Sequence, residues 1–337
     1  MLEPRFFART LAALAFAGLV LPSCSGGGGG ALPNNPAAGP ASLQLPSSSR
    51  QSIAEDARQS KALYVSDSYG KSVFRFVRNA DGSLVTPAGS SLVLSYHPGP
   101  IAIGLKGNLY VADQDHGSID VYPKGASGND QPTRTLLLPF TPSSVAVDNA
   151  GYEYVGGYTN GFVAVYAPGA KGPANTIQRI ALPDGHPTIN GVAVDASGHL
   201  YVSDSNEVSE FATPTSNPTL MRAIIGSGEQ NQPTGMSPNN TTGELYVANA
   251  GDSNVLAYSP TANGTSPPDR TISSTNPPLV VPVAVANRGA VLYATSGNGL
   301  KGPASIFVLA ANRSNQKPRQ VVTGSYLAFP AGLAIGP

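Results

Sequence analysis

The segment that decides the fold is GNLYVADQDHGSIDVYPKGASG, residues Gly107–Gly128. Its Leu-Tyr-Val triplet returns in GHLYVSDSNEVSEFATP and again in GELYVANAGDSNVLAYSP. Six triplets of this kind occur, and their tyrosines are separated by 46, 44, 47, 45 and 47 residues. Such regular spacing indicates a structural unit that is repeated along the chain. The six tyrosines are Tyr64, Tyr110, Tyr154, Tyr201, Tyr246 and Tyr293.

Each repeat contains four short apolar runs that are separated by turn residues. In the third repeat the runs are SSVAVDN, YEYVGG, FVAVYAP and TIQRIAL. Short runs rich in Val, Ile, Leu and Tyr between Gly, Asn, Asp and Pro are typical of β-strands. The first two runs are apolar on both faces, which predicts strands covered on both sides. Four such strands in every 40–50 residues predict a β-propeller.

The two ends of the chain determine the number of blades. The first repeat begins directly at KALYVSD and has no first strand, whereas the C-terminus carries an extra PAGLAIG that matches PSSVAVD. We therefore predict an all-β fold of six four-stranded blades. The C-terminal strand pairs with the N-terminal blade and closes the ring, which removes exposed sheet edges.

The repeated triplet has a packing explanation. Leu and Val are expected to face one neighbouring blade and Tyr the other, where its hydroxyl needs a polar partner. The stretch GVAVDASGHLYVSDS, Gly191–Ser205, resembles an NHL repeat, and residues 61–337 resemble a six-bladed NHL-type propeller. The resemblance implies the fold and leaves the function open, because the same propeller serves enzymes and binding platforms.

The N-terminal sequence is typical of a targeting segment followed by a flexible tether. Arg5 and Arg9 precede the apolar run LAALAFAGLVL, which ends at LPSC. The pattern resembles the lipobox of bacterial lipoproteins, in which the cysteine is lipidated. We predict a signal peptide at 1–23, a lipidated Cys24 with a flexible Gly/Pro/Ser tether at 24–60, and the propeller at 61–337. The alternative is an ordinary secretory signal with an incidental cysteine.

Composition limits the partners. Charged residues are 12% of the chain, the formal net charge is zero, and Cys24 is the one cysteine. We expect no nucleic-acid partner, because such a partner requires clustered Lys and Arg. A lipobox implies a bacterial cell envelope, with the chain facing the periplasm or the exterior. We expect a monomer that reaches the membrane through its lipid alone.

Candidate binding residues lie in loops on one face, which we call the upper face. It consists of the loops that enter each first strand and those that join second to third strands. The candidates are His97, Asp113, His116, His186 and Asp204, whereas His199 falls in a turn on the opposite, lower face. His97 and His186 are the candidate metal ligands, for zinc or calcium, although no cofactor is predicted from the spacing.

Three functions follow from these observations. The leading one is a non-catalytic platform for an envelope protein or for a small-molecule or glycan ligand. The alternative is a metal-dependent lyase or lactonase acting at the upper face, since the propellers that this chain resembles include such enzymes. The third is a purely structural envelope component. No G-x-S-x-G elbow or phosphate-binding loop is present.

One further pattern is an arginine near the start of the fourth strand. It recurs in TRTL, QRIA, MRAI, DRTI and PRQV. We expect these arginines to be equivalent and to pair with turn carboxylates such as Asp148 or Asp195. A ring of cations for an anionic partner is the alternative. The five residues are Arg134, Arg179, Arg222, Arg270 and Arg319.

Overall fold

The computed structural model describes residues 62–85, 91–104, 106–182, 185–212, 214–225, 230–297 and 304–336. These all belong to one compact unit, Ser60–Pro337. The predicted signal peptide, Cys24 and the tether lie outside the described residues. No helix in the described part of the chain is long and apolar enough to cross a bilayer.

The described residues form an all-β propeller of six antiparallel sheets, as predicted. Blade 1 contains β25, β1, β2 and a split outer strand, β3 and β4; blades 2 to 6 each contain four consecutive strands. The strands are β1 Leu63–Asp67, β2 Ser72–Arg78, β3 Leu84–Val85, β4 Leu92–Val93, β5 Pro98–Ile103, β6 Leu109–Asp113, β7 Ser118–Tyr122, β8 Arg134–Leu137, β9 Pro142–Val147, β10 Glu153–Gly157, β11 Phe162–Tyr166, β12 Gln178–Ala181, β13 Gly191–Val194, β14 Leu200–Ser203, β15 Val208–Ala212, β16 Thr219–Ile224, β17 Pro233–Pro238, β18 Leu245–Asn249, β19 Asn254–Tyr258, β20 Arg270–Ile272, β21 Val285–Arg288, β22 Val291–Ser296, β23 Ser305–Ala310, β24 Gln320–Thr323 and β25 Pro330–Ile335.

Strands from the two ends of the chain close the ring. β25 pairs antiparallel with β1, with Leu63 opposite Ile335 and Val65 opposite Leu333. Two backbone bonds extend the seam: the amide of Gly336 donates to the carbonyl of Ala62 at 2.9 Å, and that of Ser68 donates to Phe329 at 2.8 Å. The predicted composite blade is confirmed.

The repeated tyrosine packs between blades, as the sequence predicts. Tyr154 of blade 3 shares an apolar cluster with Leu200 and Val202 of blade 4. Its hydroxyl donates to Oδ2 of Asp148 at 2.9 Å, which satisfies the buried polar group. Each of the six inter-blade clusters repeats this arrangement, with the tyrosine of one blade beside the Leu-Tyr-Val strand of the next.

Glycine loops join neighbouring blades at the rim. Gly172 of the β11–β12 loop donates to Thr135 at 2.8 Å and accepts from Leu137 at 2.9 Å, so it pairs with the outer strand of blade 2. Gly128 and Gly264 make the same bridge to blades 1 and 4. All three adopt φ of 57–59°, a left-handed conformation that favours glycine. The loops therefore extend the contact between blades beyond the apolar clusters.

The prediction that the five arginines occupy equivalent positions is only partly correct. Arg134, Arg222 and Arg270 are equivalent, because each lies opposite the residue that pairs with the repeated tyrosine. Gln178 and Gln320 occupy that position in blades 3 and 6. A shift of one residue moves a strand side chain to the other face. Arg179 and Arg319 are therefore exposed instead of lying at the interface.

The expected carboxylate partners were also wrong. The three equivalent arginines pair with buried or half-buried glutamates: Arg134 with Glu153 at 2.7 Å, Arg222 with Glu210, and Arg270 with Glu244. Each also donates to backbone carbonyls of the next blade. These three arginines therefore bind neighbouring blades to each other. This role explains why they recur, and no external anionic partner is needed to explain it.

Candidate functional site

The central channel is narrow. It is a cavity of about 70 Å³, lined by the first strands of all six blades. A Cβ added at Gly191 would lie 2.2 Å from the carbonyl oxygen of Thr234, so backbones approach closely around the axis. Sites for drug-sized ligands usually measure about 300–1,000 Å³. A ligand of that size does not fit in this cavity.

On the upper face, an acidic or amide side chain ends or directly follows the second strand in four blades and organises the turn beyond it. The Oδ1 atom of Asp113 accepts the amides of Asp115 and His116, at 2.9 and 3.0 Å. That of Asp204 accepts the amides of Asn206 and Glu207. Both carboxylates are buried. These two predicted site residues consequently lie beneath the loops and not on their outer surface. The four residues are Asp67, Asp113, Asp204 and Asn249.

Two histidine–aspartate pairs meet on blade 2. His97 Nδ1 lies 2.9 Å from Oδ2 of Asp115, and its backbone amide donates to the same oxygen at 3.1 Å. His116 Nδ1 lies 2.8 Å from Oδ2 of Asp113. The histidine side chains are 42% and 69% exposed, respectively. The structure thus brings together three predicted site residues, His97, Asp113 and His116.

The carboxylates alter the acid–base properties of this group. The hydrogen bond that the Asp113 carboxylate accepts from His116, and then the negative charge of that carboxylate, raise the pKa of His116. Burial tends to raise the pKa of Asp115, but the bonds from His97 and the charge of Lys71 outweigh it, and the pKa is lowered. The Nζ atom of Lys71 donates to the carbonyl of Ser95 at 3.3 Å, so Lys71 contacts the loop that carries His97.

A buried polar network supports these loops from below. The ring of Tyr96 lies edge-on to that of His116, with centroids 6.4 Å apart. The Tyr96 hydroxyl lies 3.3 Å from the Tyr122 hydroxyl. Asp120 is buried beside them and accepts from Oγ1 of Thr135 at 2.6 Å. Burial raises the pKa of Asp120, against the opposing effect of the Thr135 bond. The network anchors the blade 2 loops to the junction with blade 1.

The other predicted residues form a separate group on blade 4. His186 Nδ1 lies 3.7 Å from Oδ2 of Asp204. His199 lies on the lower face, as predicted, with Nδ1 at 3.0 Å from Asp195 and 3.5 Å from Glu210. Each histidine therefore faces a carboxylate of its own blade.

The candidate metal ligands are not assembled into one site. Across the described ranges there is no group of three or more His, Cys, Asp and Glu side chains that could hold a metal ion. His97 and His186 instead turn to Asp115 and Asp204. A zinc site with three protein ligands would need a different side-chain arrangement.

Comparisons with known proteins identify the fold. No family model matches the chain, and no curated protein sequence matches it. The chain is similar to a crystal structure of a nidogen/laminin complex, with a TM-score of 0.62 and 16% identity over 82% of this chain and 98% of that chain. It is also similar to a protein of unknown function from Bacteroides caccae, with a TM-score of 0.57 and 12% identity over 82% and 99%. A third similar structure is a streptogramin B lyase, at 0.53 and 13% over 82% and 88%.

These likenesses establish a shared β-propeller fold. At such low identity they carry no statement about activity. Any inference about function therefore has to be drawn from the residues of the upper face.

The candidate residues predicted from the sequence do not include Tyr69 and Lys71. Both lie in the β1–β2 turn of the upper face, and half of the Tyr69 side chain is exposed. An available signal was the sequence DSYGK, which places an aromatic residue in a turn where the equivalent loops read DQDHG and DSNE. The repeated Tyr of the second strand dominates the sequence pattern and hides this signal.

Proposed function

We propose that the protein is a lipid-anchored lipoprotein of the bacterial cell envelope that presents its propeller as a non-catalytic recognition platform. The upper-face group of blade 2 carries the proposal. It combines exposed imidazoles with carboxylates that fix their orientation, on loops supported by a buried network. Loops held by a rigid scaffold are common recognition surfaces.

Anchoring rests on the sequence LPSC and on the tether that follows it. A tether of this length has a reach of roughly 35 Å, which allows the propeller to sample the space beside the membrane. Cys24→Ser should move the protein from the membrane pellet to the soluble fraction. If the variant remains in the pellet, the anchor is not at Cys24.

Recognition through the upper face is tested by capture from native envelope, with the full chain as bait. His97→Ala should weaken capture of any bound component. His199→Ala is the matched control, because its imidazole is also partly exposed and paired through Nδ1 with an aspartate, but on the lower face. Equal capture by both variants would remove the upper face from the proposal. If the wild-type chain captures nothing, a structural envelope role replaces recognition.

A metal-dependent lyase or lactonase is the second candidate. The observation that favours it is the His97–Asp115 pair, because a carboxylate on one ring nitrogen is how metal-binding imidazoles are commonly oriented. A streptogramin B lyase also has this fold. Elemental analysis of the purified chain discriminates the two: stoichiometric zinc or calcium that is lost in His97→Ala would favour the enzyme.

A further inference from the structure

Building on the proposed recognition role, we propose that the upper face at the junction of blades 1 and 2 binds a neutral oligosaccharide chain. Tyr69 provides the surface on which a sugar ring stacks. Lys71, His97 and Asp115 provide the hydrogen bonds to its hydroxyl groups. We call these four residues the junction patch.

The exposure of Tyr69 distinguishes it from the other apolar residues of the propeller. Among the described residues, eight large apolar side chains are exposed, and Tyr69 is the only aromatic one. It lies in an upper-face turn, the one between β1 and β2. The other seven lie on or directly beside outer strands at the rim, where scattered exposed apolar residues are ordinary. They are Val85, Val93, Leu137, Ile177, Leu220, Met221 and Ile225.

The Tyr69 turn is held in place by the seam that closes the ring. Oδ1 of Asp67 accepts the amide of Gly70 at 2.7 Å, which fixes the turn. Oδ2 of the same carboxylate accepts the amides of Ala328 and Phe329, at 2.6 and 3.0 Å. The ring of Phe329 packs against that of Tyr69, with centroids 5.2 Å apart. A ring supported in this way loses little conformational entropy when a ligand stacks on it.

Hydrogen-bonding groups are present in the Tyr69 turn and in the neighbouring blade 2 loops. Lys71 is in the same turn, and its Nζ atom reaches the carbonyl of Ser95, which precedes the His97 loop. The Asp115 carboxylate lies in the field of Lys71 and contacts His97. A carboxylate, an imidazole and an ammonium group side by side supply both acceptors and donors. Sugar hydroxyls, which are donors and acceptors at once, are complementary to such a set.

Charge balance favours a neutral ligand. Lys71 offsets the charge of Asp115, and Asp113 is paired with His116, whose pKa is raised. A patch with opposite charges so close together presents no strong field to an anion or a cation. The patch lies on loops outside the 70 Å³ channel, and the exposed surface of Tyr69 and Asp115 is one that an extended chain can follow.

The experiment is affinity electrophoresis of the full chain in native gels that contain laminarin or dextran, both neutral glucans, or polygalacturonate, an acidic glycan. We expect retardation by a neutral glucan. Tyr69→Ala should weaken binding about ten-fold and Tyr69→Phe by less than about two-fold, since the ring face provides the contact. Met221→Ala is the matched control, because Met221 is 51% exposed on the rim and Tyr69 is 50% exposed. Thermal melting checks that each variant is folded.

Four outcomes are decisive. Retardation by a neutral glucan that is lost in Tyr69→Ala and retained in Met221→Ala supports the proposal. Retardation by polygalacturonate alone, no retardation in any gel, or equal retardation of Tyr69→Ala and wild type overturns it. A short glucan oligosaccharide added as competitor shows whether the end of a chain or its interior is bound. If glucans fail while capture from envelope still depends on His97, recognition stands and the glycan assignment falls.

Discussion

Asp67 provides the sharpest test of how the ring is closed. Its buried carboxylate accepts three backbone amides, from Gly70 in its own turn and from Ala328 and Phe329 just before β25. Each hydrogen bond to a charged group contributes about 1.5–3 kcal/mol. Because the three share one carboxylate and are not additive, we expect Asp67→Ala to lower the free energy of unfolding by about 3–5 kcal/mol.

The size of the effect makes it measurable. For a folded unit of this size, such a loss corresponds to a fall in Tm of roughly 5–9 °C. Asp67→Asn should recover only part of it, because both carboxylate oxygens accept amides and an asparagine offers one acceptor oxygen. Urea unfolding and thermal melting of the full chain measure both variants.

Asp113→Ala is the matched control for the seam. Asp113 ends the equivalent strand of blade 2, but among the described residues its carboxylate has hydrogen bonds only within its own loop. Hydrogen exchange of residues 328–336 should accelerate in Asp67→Ala and remain unchanged in Asp113→Ala. If Asp67→Ala loses less than about 1 kcal/mol, or the two variants exchange alike at the C-terminus, the carboxylate does not lock the ring.

The remaining predictions concern closure, inter-blade contacts and pH. Deletion of Pro330–Pro337 should make the chain insoluble or greatly lower its Tm, and a truncated chain as stable as the full one would refute the composite blade. Arg222→Ala should lower the free energy of unfolding by about 3–5 kcal/mol, because the buried Glu210 keeps the Tyr201 hydroxyl but loses its guanidinium partner, whereas the exposed Arg179→Ala should lower it by less than about 1 kcal/mol; equal losses would contradict the observed register. Because burial raises the pKa of Asp120 in the folded state, its carboxylate makes the protein less stable as the pH rises above about 4. The Tm of Asp120→Asn relative to wild type should therefore increase between pH 4 and pH 7, and a constant difference would argue against an ionised buried Asp120.

The fold could be predicted from the sequence because every blade repeats the same pattern of apolar strands and turn residues. Each Leu-Tyr-Val strand must be covered on both faces, and the orphan PAGLAIG matched the strand that the first blade lacked. The arginine register could not be predicted in the same way. The sequence does not show whether a short outer strand pairs one residue further along. That one-residue difference in register places Gln178 at the interface between blades and Arg179 in solvent.

The candidate site was harder to predict. Asp113 and Asp204 recur because a turn needs an acceptor for its amides, so their position suggested binding while their role is structural. Sequence spacing also could not show that His97 turns to Asp115 of its own blade. Tyr69 stands out only once the burial of the other aromatic side chains is known.

Photo-crosslinking in intact cells tests the central claim most directly, namely that the upper face is the recognition surface. A benzophenone amino acid, which reacts with C–H bonds of proteins and glycans alike, replaces Ser95 on the upper face or Lys124 in the lower-face β7–β8 loop; both residues are exposed. The account predicts a discrete crosslinked product from position 95 and none from position 124. Products from position 124 alone, or from neither position, would contradict it.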